Sequence, residues 1–304
     1  MKQLTQAQVN LVLNQAMNKV YEKPIPELES TKLIPRGTNG IDVGAESFSW
    51  DEITAWGVAA IVSRYSKDLP PVGFTSTKKF AGVSIIGDST SYSFFDLRAA
   101  AFDNKPLNTK LASIGRNAIL FKQDSLAIEG DAKNGYDGFV NNPNVPIVSV
   151  TTGAWDTVGT TTTGDQIVQD FQDIFDAIDS ATKGTETPDR VAIASNVYAK
   201  LKNKRITSDG NATRLLDYLK DSFPQVKEWI SAKCLNGAGV GGADRVVVYT
   251  YDEEAVMNVV PLEFTQLPEQ WAGLAATVNM VAKSAGTVFF RPLSAAYADV
   301  TTPA

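Results

Sequence analysis

The chain has 304 residues, of which 43% are hydrophobic and 20% charged, as in a globular protein with room for two or three compact units. It contains no histidine and one cysteine, which excludes histidine relays, zinc sites of histidine or paired cysteines, and internal disulfides. The net charge of -6 and the scattered basic residues argue against tight binding of nucleic acid.

Membrane and export signals are not indicated by the sequence. No apolar run approaches the roughly 18 residues that cross a bilayer, and the amino-terminal segment MKQLTQAQVNLVLNQAM is too polar for a signal peptide. We therefore expect the protein in the cytoplasm, or in a particle assembled there.

Residues 1–45 are predicted to form an arm. A short helix is indicated by one apolar stripe, and after Tyr21 three prolines favour extended backbone. The stripe consists of Val9, Val12, Leu13, Ala16 and Val20, and the prolines are Pro24, Pro26 and Pro35. This leaves two alternatives, a frayed terminus or an arm that becomes ordered against a neighbouring subunit.

Residues 46–91 carry strand signals. SFSWDEITAW alternates partly, GVAAIVSRYS is rich in β-branched residues, and KKFAGVSIIG is expected to pair with it across the linking segment KDLPPVGFTST. Because an isolated two-stranded ribbon is marginally stable in water, it should lie on its own domain or be held by another chain.

Residues 92–152 contain a long predicted helix from Pro106 to Glu129, with Gly130 as its stop. Its apolar stripe is Leu107, Leu111, Ile114, Ala118 and Phe121. The following stretch GYDGFVNNPNVP has turn chemistry, because glycine and asparagine tolerate positive φ and proline ends regular pairing. The residues predicted to form this corner are Gly135, Gly138, Asn141, Asn142 and Pro143.

Residues 153–260 alternate helices and buried strands. The first helix is predicted to begin at Asp165 as N-cap and to end at Gly184. Its apolar stripe is Ile167, Phe171, Ile174 and Ile178, and its acidic series is Asp170, Asp173, Asp176 and Asp179. That series is interpreted as a solvated face rather than a metal site. RVAIA, NVYAKLKN, NATRLLDYLKDSF and RVVVYTY then predict strand, helix, helix and strand, an α/β layer.

Residues 261–304 hold two extended runs, GLAATVNMVAKS and GTVFFRPLSAAYADV. Ligand motifs are weak throughout. The glycines of NGAGVGGADRVVVYTY have dinucleotide-binding spacing but precede a strand, which favours a flexible turn. The acidic triplet Asp252, Glu253 and Glu254 fits the first turn of a short helix better than a ligand site, and Cys234 fits a small buried residue. Neither a cofactor nor a metal is predicted.

The order of these parts, and the wording of three segments, resembles the major capsid proteins of tailed bacteriophages, with the Hong Kong 97 type of fold. The segments are GDSTSYSFFDLRAAAFDNKPLN, GYDGFVNNPNVP and PLEFTQLPEQWAGLAATVNMVAKSAGTVFFRPLSAAYADV. The resemblance spans nearly the whole chain. It implies an α+β fold with an N-terminal arm, an extended loop, a peripheral domain with a long spine helix, and an α/β axial domain.

The resemblance also implies roles for residues. Residues 46–91 would hold the extended loop over a neighbouring subunit, with Lys67, Pro70, Pro71, Phe74, Lys78 and Lys79 in it. Residues 92–152 and 261–304 would form the peripheral domain, and 153–260 the axial domain. The corner would fix geometry between subunits. Some relatives join a loop lysine to an asparagine covalently, but no partner asparagine is indicated here, and we expect no crosslink.

The implied function is a structural subunit, without enzymatic activity, of an icosahedral shell around a double-stranded DNA phage genome. Expected partners are copies of the chain itself, as pentamers and hexamers, with separate scaffolding, portal or decoration proteins, and no membrane. Assembly in the bacterial host cytoplasm and residence in the virion follow. Two alternatives stay open at this point: an encapsulin-like nanocompartment shell protein, and a soluble α/β enzyme using carboxylates or a hard cation.

Overall fold

The computed structural model describes residues 27–38, 40–61, 69–102, 107–150, 154–155, 163–206 and 213–300. The helix predicted around Val9 to Val20 and the loop residue Lys67 lie outside these ranges. Within them the chain forms six α-helices and sixteen β-strands. The helices are α1 (Ser30–Leu33), α2 (Phe94–Phe102), α3 (Leu107–Ile128), α4 (Gly164–Thr182), α5 (Ser195–Asn203) and α6 (Leu215–Ser222).

The strands follow the same chain order. They are β1 (Arg36–Gly37), β2 (Ser47–Gly57), β3 (Val72–Gly82), β4 (Ser84–Ser93), β5 (Gly130–Asp131), β6 (Tyr136–Asp137), β7 (Ile147–Ser149), β8 (Arg190–Ala194), β9 (Glu228–Ala232), β10 (Arg245–Tyr249), β11 (Val256–Val259), β12 (Leu262–Gln266), β13 (Gln270–Ala272), β14 (Ala275–Ser284), β15 (Gly286–Phe289) and β16 (Ala295–Asp299).

The largest core surrounds a five-stranded sheet with the order β7-β16-β10-β8-β9. The middle strand β10 is buried along its whole length, as expected of the near-continuous apolar run RVVVY. Helix α4 packs its stripe against this sheet, with Ile167, Phe171, Ile174 and Ile178 all buried. The predicted strands RVAIA and RVVVYTY and the predicted helices of this layer are confirmed.

The start of α4 differs from the prediction. The N-cap is Thr163, not Asp165, and its hydroxyl accepts a hydrogen bond from the Gln166 backbone while the Gln166 side chain accepts one from the Thr163 backbone. Asp170 also differs, because it is buried and accepts a hydrogen bond of 2.8 Å from Trp155 Nε1. A residue three positions after Ile167 lies on the same face of a helix, so Asp170 turns inward rather than toward solvent.

A four-stranded sheet packs against the long helix α3. Strands β12 and β13 pair with β14, and β14 pairs with β4 over ten positions from Ala275–Ser93 to Ser284–Ser84. The helix has 22 residues. At the standard rise it is about 33 Å long. The predicted bounds of this spine helix are confirmed to within a residue.

The predicted apolar stripe of α3 is wrong, because Ile114 and Ala118 are exposed. The buried side is formed by Gly115, Ile119, Gln123, Leu126 and Ala127. A Cβ at Gly115 would lie only 2.5 Å from Met280 Cε on β14. The contact face therefore begins at a residue without a side chain, which apolar spacing does not reveal.

Two domain boundaries also need correction. Residues 261–304 were expected to complete the peripheral unit, and β14 does lie in its sheet, but β16 lies inside the five-stranded sheet between β10 and β7. Strand β7, placed by the sequence in the peripheral unit, belongs to the same sheet. The small residues Ala295, Ala296 and Ala298 are fully buried, so β16 fits inside the core of the five-stranded sheet.

The ribbon formed by β2 and β3 has a different pairing from the prediction. SFSWDEITAWG pairs with VGFTSTKKFAG, from Ser47 opposite Gly82 to Gly57 opposite Val72. In GVAAIVSRYS, Gly57 ends β2, and the other described residues, 58–61, are not in a strand. Pro70 and Pro71 have no backbone donor for a ladder, so the second strand begins directly after them.

The described part of the arm packs on its own subunit, contrary to both alternatives. Leu33 and Ile34 are buried, and Tyr249 Oη on β10 donates a 2.5 Å hydrogen bond to the Leu33 carbonyl. The Glu29 carboxylate accepts hydrogen bonds from the backbone nitrogens of Lys233 and Cys234, at 3.1 and 2.8 Å. Residues 27–37 are thereby tied to the five-stranded sheet. Cys234 is half-buried, and burial raises the pKa of its thiol.

Candidate assembly surfaces

The ribbon has one apolar face that nothing in its own subunit covers. Residues directly opposite each other in an antiparallel pair share a face, which places Ile53, Val72, Phe74 and Phe80 on the same side. These side chains are 64%, 78%, 70% and 70% exposed, respectively. Exposed apolar surface of this extent is typical of a protein interface rather than of a monomer.

The other face of the ribbon is polar in its middle and carries the exposed Trp56 near its far end. It carries Thr54 opposite Thr75, and Glu52 lies 3.8 Å from Lys79 in an exposed ion pair. Near the far end, the Trp56 ring lies over Gly73, where a Cβ would come within 2.6 Å of Trp56 Cζ2. The two faces therefore differ in chemistry as the two sides of an amphipathic strand do.

The base of the ribbon is anchored to the body of the subunit. Phe48 and Trp50 pack against a small buried cluster around Met257 and Val259. The Trp50 ring meets Phe290 edge-on, with centroids 5.2 Å apart. On the face of Phe48 and Trp50 the ribbon lacks cover only beyond Trp50, whereas on the opposite face Phe80, which pairs with Ser49 near the base, is exposed as well.

The loop residues named from the sequence do not all share one face. Phe74 and Lys78 lie on the side of Ile53, whereas Lys79 lies on the polar side, and Pro70 and Pro71 are exposed before β3. Ile53, Val72 and Phe80 were missed. The even spacing of Val72, Phe74 and Phe80 is the period-2 signal that indicates a common face.

The corner after α3 is a C-terminal cap of the helix. Phe139 and Val140 donate their backbone N–H groups to the carbonyls of Ala127 and Ile128, at 2.9 and 3.1 Å. Asn141 Nδ2 donates to the Glu129 carbonyl at 2.8 Å, while its Oδ1 accepts from the Gly138 N–H at 2.8 Å. The last carbonyls of the helix, which have no partner within it, are thus satisfied by the corner.

The two glycines of this corner have different reasons, close packing at Gly138 and a positive φ at Gly135. A Cβ at Gly138 would lie 2.2 Å from the Ile128 carbonyl oxygen, so no side chain fits there. Gly135 has φ of +75°, a conformation that other residues rarely adopt. Asn142 Oδ1 accepts a hydrogen bond from the Asn144 backbone, and Pro143 beside it is exposed.

The corner also inserts into the largest core. The Phe139 ring is fully buried and meets Tyr249 edge-on at 5.1 Å and Phe289 face-on at 5.9 Å. Its carbonyl accepts a hydrogen bond from Tyr297 Oη, and the Val140 carbonyl accepts one from Arg245, both at 2.5 Å. Helix α3 and the five-stranded sheet are consequently joined at a fixed angle.

The two ligand-like motifs have structural partners instead. In the glycine-rich turn, Gly239 packs against Asp299, whose carboxylate accepts a hydrogen bond from the Val240 backbone, so this turn is anchored rather than flexible. The acidic triplet forms a turn, not the helix start that we expected. Arg291 forms ion pairs with Asp252 and Glu254 of this turn, at 2.8 and 3.7 Å.

The described residues lack both a cluster of metal ligands and a membrane-spanning helix. They contain no group of three His, Cys, Asp or Glu side chains that could hold a metal ion. Over the same ranges, no helix combines the length and apolarity that crossing a membrane requires.

Comparisons with known proteins identify relatives. The sequence profile of a family described as Major capsid protein matches residues 57–300. A search of curated proteins finds no match. The structure is similar to the capsid of Myoviridae phage XM1, with 17% identity, a TM-score of 0.78, and coverage of 95% of this chain and 97% of that chain.

Two further solved structures extend this comparison. A chain of Mycobacterium phage Bobi has 15% identity and a TM-score of 0.65, with full coverage of both chains. A virus-like particle from Pyrococcus furiosus has 13% identity and a TM-score of 0.51, covering 88% of this chain and 91% of that chain. At these identities the likeness shows the fold, which is α+β and of the Hong Kong 97 type, and it confirms the fold class expected from the sequence.

Proposed function

Because this chain belongs to the major capsid protein family, we propose that it forms rings of five and six copies in which the ribbon of one copy covers the next. The protein is a structural subunit of a virion capsid, with no enzymatic role, and repeated copies of it build the shell. The observation that carries the proposal is the exposed apolar face of the ribbon, Ile53, Val72, Phe74 and Phe80.

Burial of that face supplies the energy for association. Each of these side chains is about two-thirds exposed, so complete cover would contribute roughly 1–2 kcal/mol apiece. In this arrangement the extended loop includes Lys67, Pro70, Pro71, Phe74, Lys78 and Lys79, with Phe74 and Lys78 facing the neighbour and Lys79 facing away. We expect no covalent crosslink at either lysine.

The corner would set the angle between the two main units of the subunit. Gly135, Gly138, Asn141, Asn142 and Pro143 join the end of α3 to the five-stranded sheet, and the supporting contacts are the capping bonds to the helix carbonyls. We propose that the sheet unit faces the ring axis and that α3 with the four-stranded sheet lies at the ring's periphery. A rigid joint keeps that geometry equal in every copy.

The proposed content of the shell is a double-stranded DNA genome. The net charge of -6 supports a wall that encloses DNA without binding it tightly, since a strongly basic wall would hold the polyanion in place. Assembly in the cytoplasm of a bacterial host, with separate scaffolding, portal or decoration proteins, completes this proposal. Particles purified from such a host should contain DNA.

A shell around protein cargo is a second candidate. The comparisons do not favour it, although the structure is similar over most of both chains to a virus-like particle from Pyrococcus furiosus. The two candidates differ in content, so nucleic acid extraction and protein gels of purified particles separate them. A particle with one abundant second protein and no DNA would support the compartment.

The ribbon proposal is tested by a variant that changes only its apolar face. Phe74→Ser combined with Phe80→Ser should abolish rings and shells in negative-stain electron microscopy and give subunits on size exclusion. The matched control is Thr54→Ser with Thr75→Ser on the opposite face, which should assemble as the wild type does. Normal shells from the phenylalanine variant, with an unchanged melting temperature, would refute the proposal.

A further inference from the structure

A row of polar side chains lies inside the subunit, between a three-stranded sheet and helix α3. The strand order of this sheet is β1-β11-β15, and Arg36, Asn258 and Thr287 are register partners across it. Side chains at paired positions of neighbouring strands lie on the same face of a sheet. Thr287 Oγ1 donates a 2.6 Å hydrogen bond to the Ala127 carbonyl of α3, so this face is turned toward the helix.

Helix α3 contributes a fourth polar side chain to the row. Gln123 lies one turn before Ala127 and therefore on the same side of the helix. Its Oε1 accepts a long hydrogen bond, of 3.4 Å, from Arg36 Nη2. Asn258 consequently lies between the two strands whose side chains contact α3. We name Arg36, Gln123, Asn258 and Thr287 the polar layer.

The centre of the polar layer is closed to solvent. Gln123 and Asn258 are only 3% and 4% exposed, and Thr287 is 3% exposed. Their neighbours two positions along the same strands, Val256 and Phe289, belong to the largest apolar core. A polar atom that is buried without a hydrogen-bond partner destabilises a fold, so every such atom in this layer requires an explanation.

Three atoms of the polar layer have no hydrogen-bond partner among the described residues. They are Arg36 Nε, Gln123 Nε2 and Asn258 Oδ1, which are two donors and one acceptor. The charge of Arg36 is already balanced, because its Nη2 lies 2.5 Å from the Glu263 carboxylate. The three atoms therefore call for one uncharged ligand that accepts and also donates hydrogen bonds.

We infer that the polar layer binds a single water molecule, which accepts hydrogen bonds from Arg36 Nε and Gln123 Nε2 and donates one to Asn258 Oδ1. Internal waters of proteins typically make about three hydrogen bonds to buried polar groups, which is the number required here. The water joins the arm strand β1 to α3 and to β11, three segments that are distant in sequence. The site lies within one subunit, so the inference is independent of the proposed rings.

A density map of the purified protein, at a resolution that shows ordered water, tests the site directly. We expect one peak at about 2.7–3.2 Å from each of the three atoms. A map without a peak at this position would overturn the inference. Crystals grown in bromide provide a second readout, because an anomalous peak would identify a halide ion, which donors alone would hold once the Asn258 amide is turned round. That result would also overturn the inference.

A double-mutant cycle tests the shared ligand in solution. Gln123→Met and Asn258→Leu each remove one hydrogen-bonding group with little change in volume, and each should lower the melting temperature. The variant with both substitutions should lose less than the sum of the two shifts, because either substitution alone already breaks the bridge. Additive shifts would contradict a shared water.

The control for this cycle pairs Gln123→Met with a remote substitution. Tyr218→Phe lies at an exposed position of α6, so its shift and that of Gln123→Met should add. Circular dichroism verifies that each variant is folded. If the variants of the polar layer do not fold, the map of the wild-type protein still decides between a bound water, a halide ion and neither.

Discussion

The five-stranded sheet and the β2–β3 ribbon are built from similar strands but stand at opposite extremes of burial. All five residues of β10 are buried, whereas nine of the eleven residues of β3 are exposed. Strand β10 has a paired strand on each side, and helix α4 packs on its sheet, whereas no described residue covers the apolar face of the ribbon. The difference shows that one region completes its own core, while the other leaves apolar side chains exposed, which the proposed contact with another copy would cover.

The largest expected effect contrasts one phenylalanine from each region. Phe171→Ala removes a fully buried ring that contacts Trp155, Phe223 and Trp229, and should lower the free energy of unfolding by about 3–5 kcal/mol. Phe74→Ala on the ribbon should change it by less than about 0.5 kcal/mol. Denaturant unfolding of unassembled subunits measures both. Equal losses at the two positions would contradict the comparison.

The corner after α3 joins that helix to the buried five-stranded sheet, and its two glycines should differ in the cost of substitution. Gly138→Ala forces a Cβ against the Ile128 carbonyl and should cost about 1–3 kcal/mol or more, because backbone cannot move aside cheaply. Gly135→Ala meets no atom within 4 Å, so it should cost only about 1 kcal/mol, from its positive φ. Unfolding curves of the two variants give the order, and a larger loss at Gly135 would argue against this account.

The described part of the arm should resemble the buried sheet, and not the ribbon, because the loss of one of its contacts should lower the free energy of unfolding. Tyr249→Phe leaves the Leu33 carbonyl without its buried donor and should cost about 1–3 kcal/mol. It should also make residues 27–37 easier to cleave in limited proteolysis. Tyr218→Phe, at an exposed position of α6, is the control and should be neutral. An unchanged cleavage pattern in Tyr249→Phe would show that other contacts hold the arm.

The smallest expected effect concerns alkaline pH and the four-stranded sheet, which lies between the two extremes. Tyr92 Oη donates a 2.6 Å hydrogen bond to Glu269, and this bond raises the pKa of Tyr92 to about 12. The unfolded chain loses that proton nearer pH 10, so the contribution is complete below about pH 10 and is lost as the pH rises toward 12. Melting temperatures should fall over that interval.

The control for this pH effect is the variant Tyr92→Phe. Its melting temperature should fall less steeply than that of the wild type over the same pH interval. Its slope should not vanish, because burial also raises the pKa values of Tyr249 and Tyr297. Identical slopes for the variant and the wild type would show that the Tyr92–Glu269 bond does not contribute to stability.

Local patterns predicted those parts of the fold that depend on local chemistry. The stripe from Ile167 to Ile178 and the run RVVVY follow from period and composition, and the fold class followed from the order of parts. The partner of β2, the contact face of α3 and the place of β16 did not. Each depends on a contact between distant residues, such as Gly115 against Met280, for which a single glycine gives no hydrophobic signal.

For the same reason, the sequence named only some of the residues on the candidate assembly surfaces. The sequence names Phe74 and the corner residues, because turn chemistry and one aromatic residue are visible in short windows, and their roles in assembly stay predictions. Ile53 and Phe80 were missed, since their common face depends on the register between β2 and β3. Register is a property of two strands together, and the sequence predicts that KKFAGVSIIG pairs with GVAAIVSRYS instead of with SFSWDEITAW.

The position of β16 has a consequence for the newly made chain on the ribosome. Tyr297 pairs with Ile147, about 150 residues earlier, and its strand separates β7 from β10, so the sheet cannot close before residues 295–299 emerge. The ribbon, by contrast, is translated within the first third of the chain. On a polysome, the ribbon of each growing chain is therefore exposed while its five-stranded sheet is still incomplete. A copy can complete its fold, and then join a shell, only after its last strand has been translated.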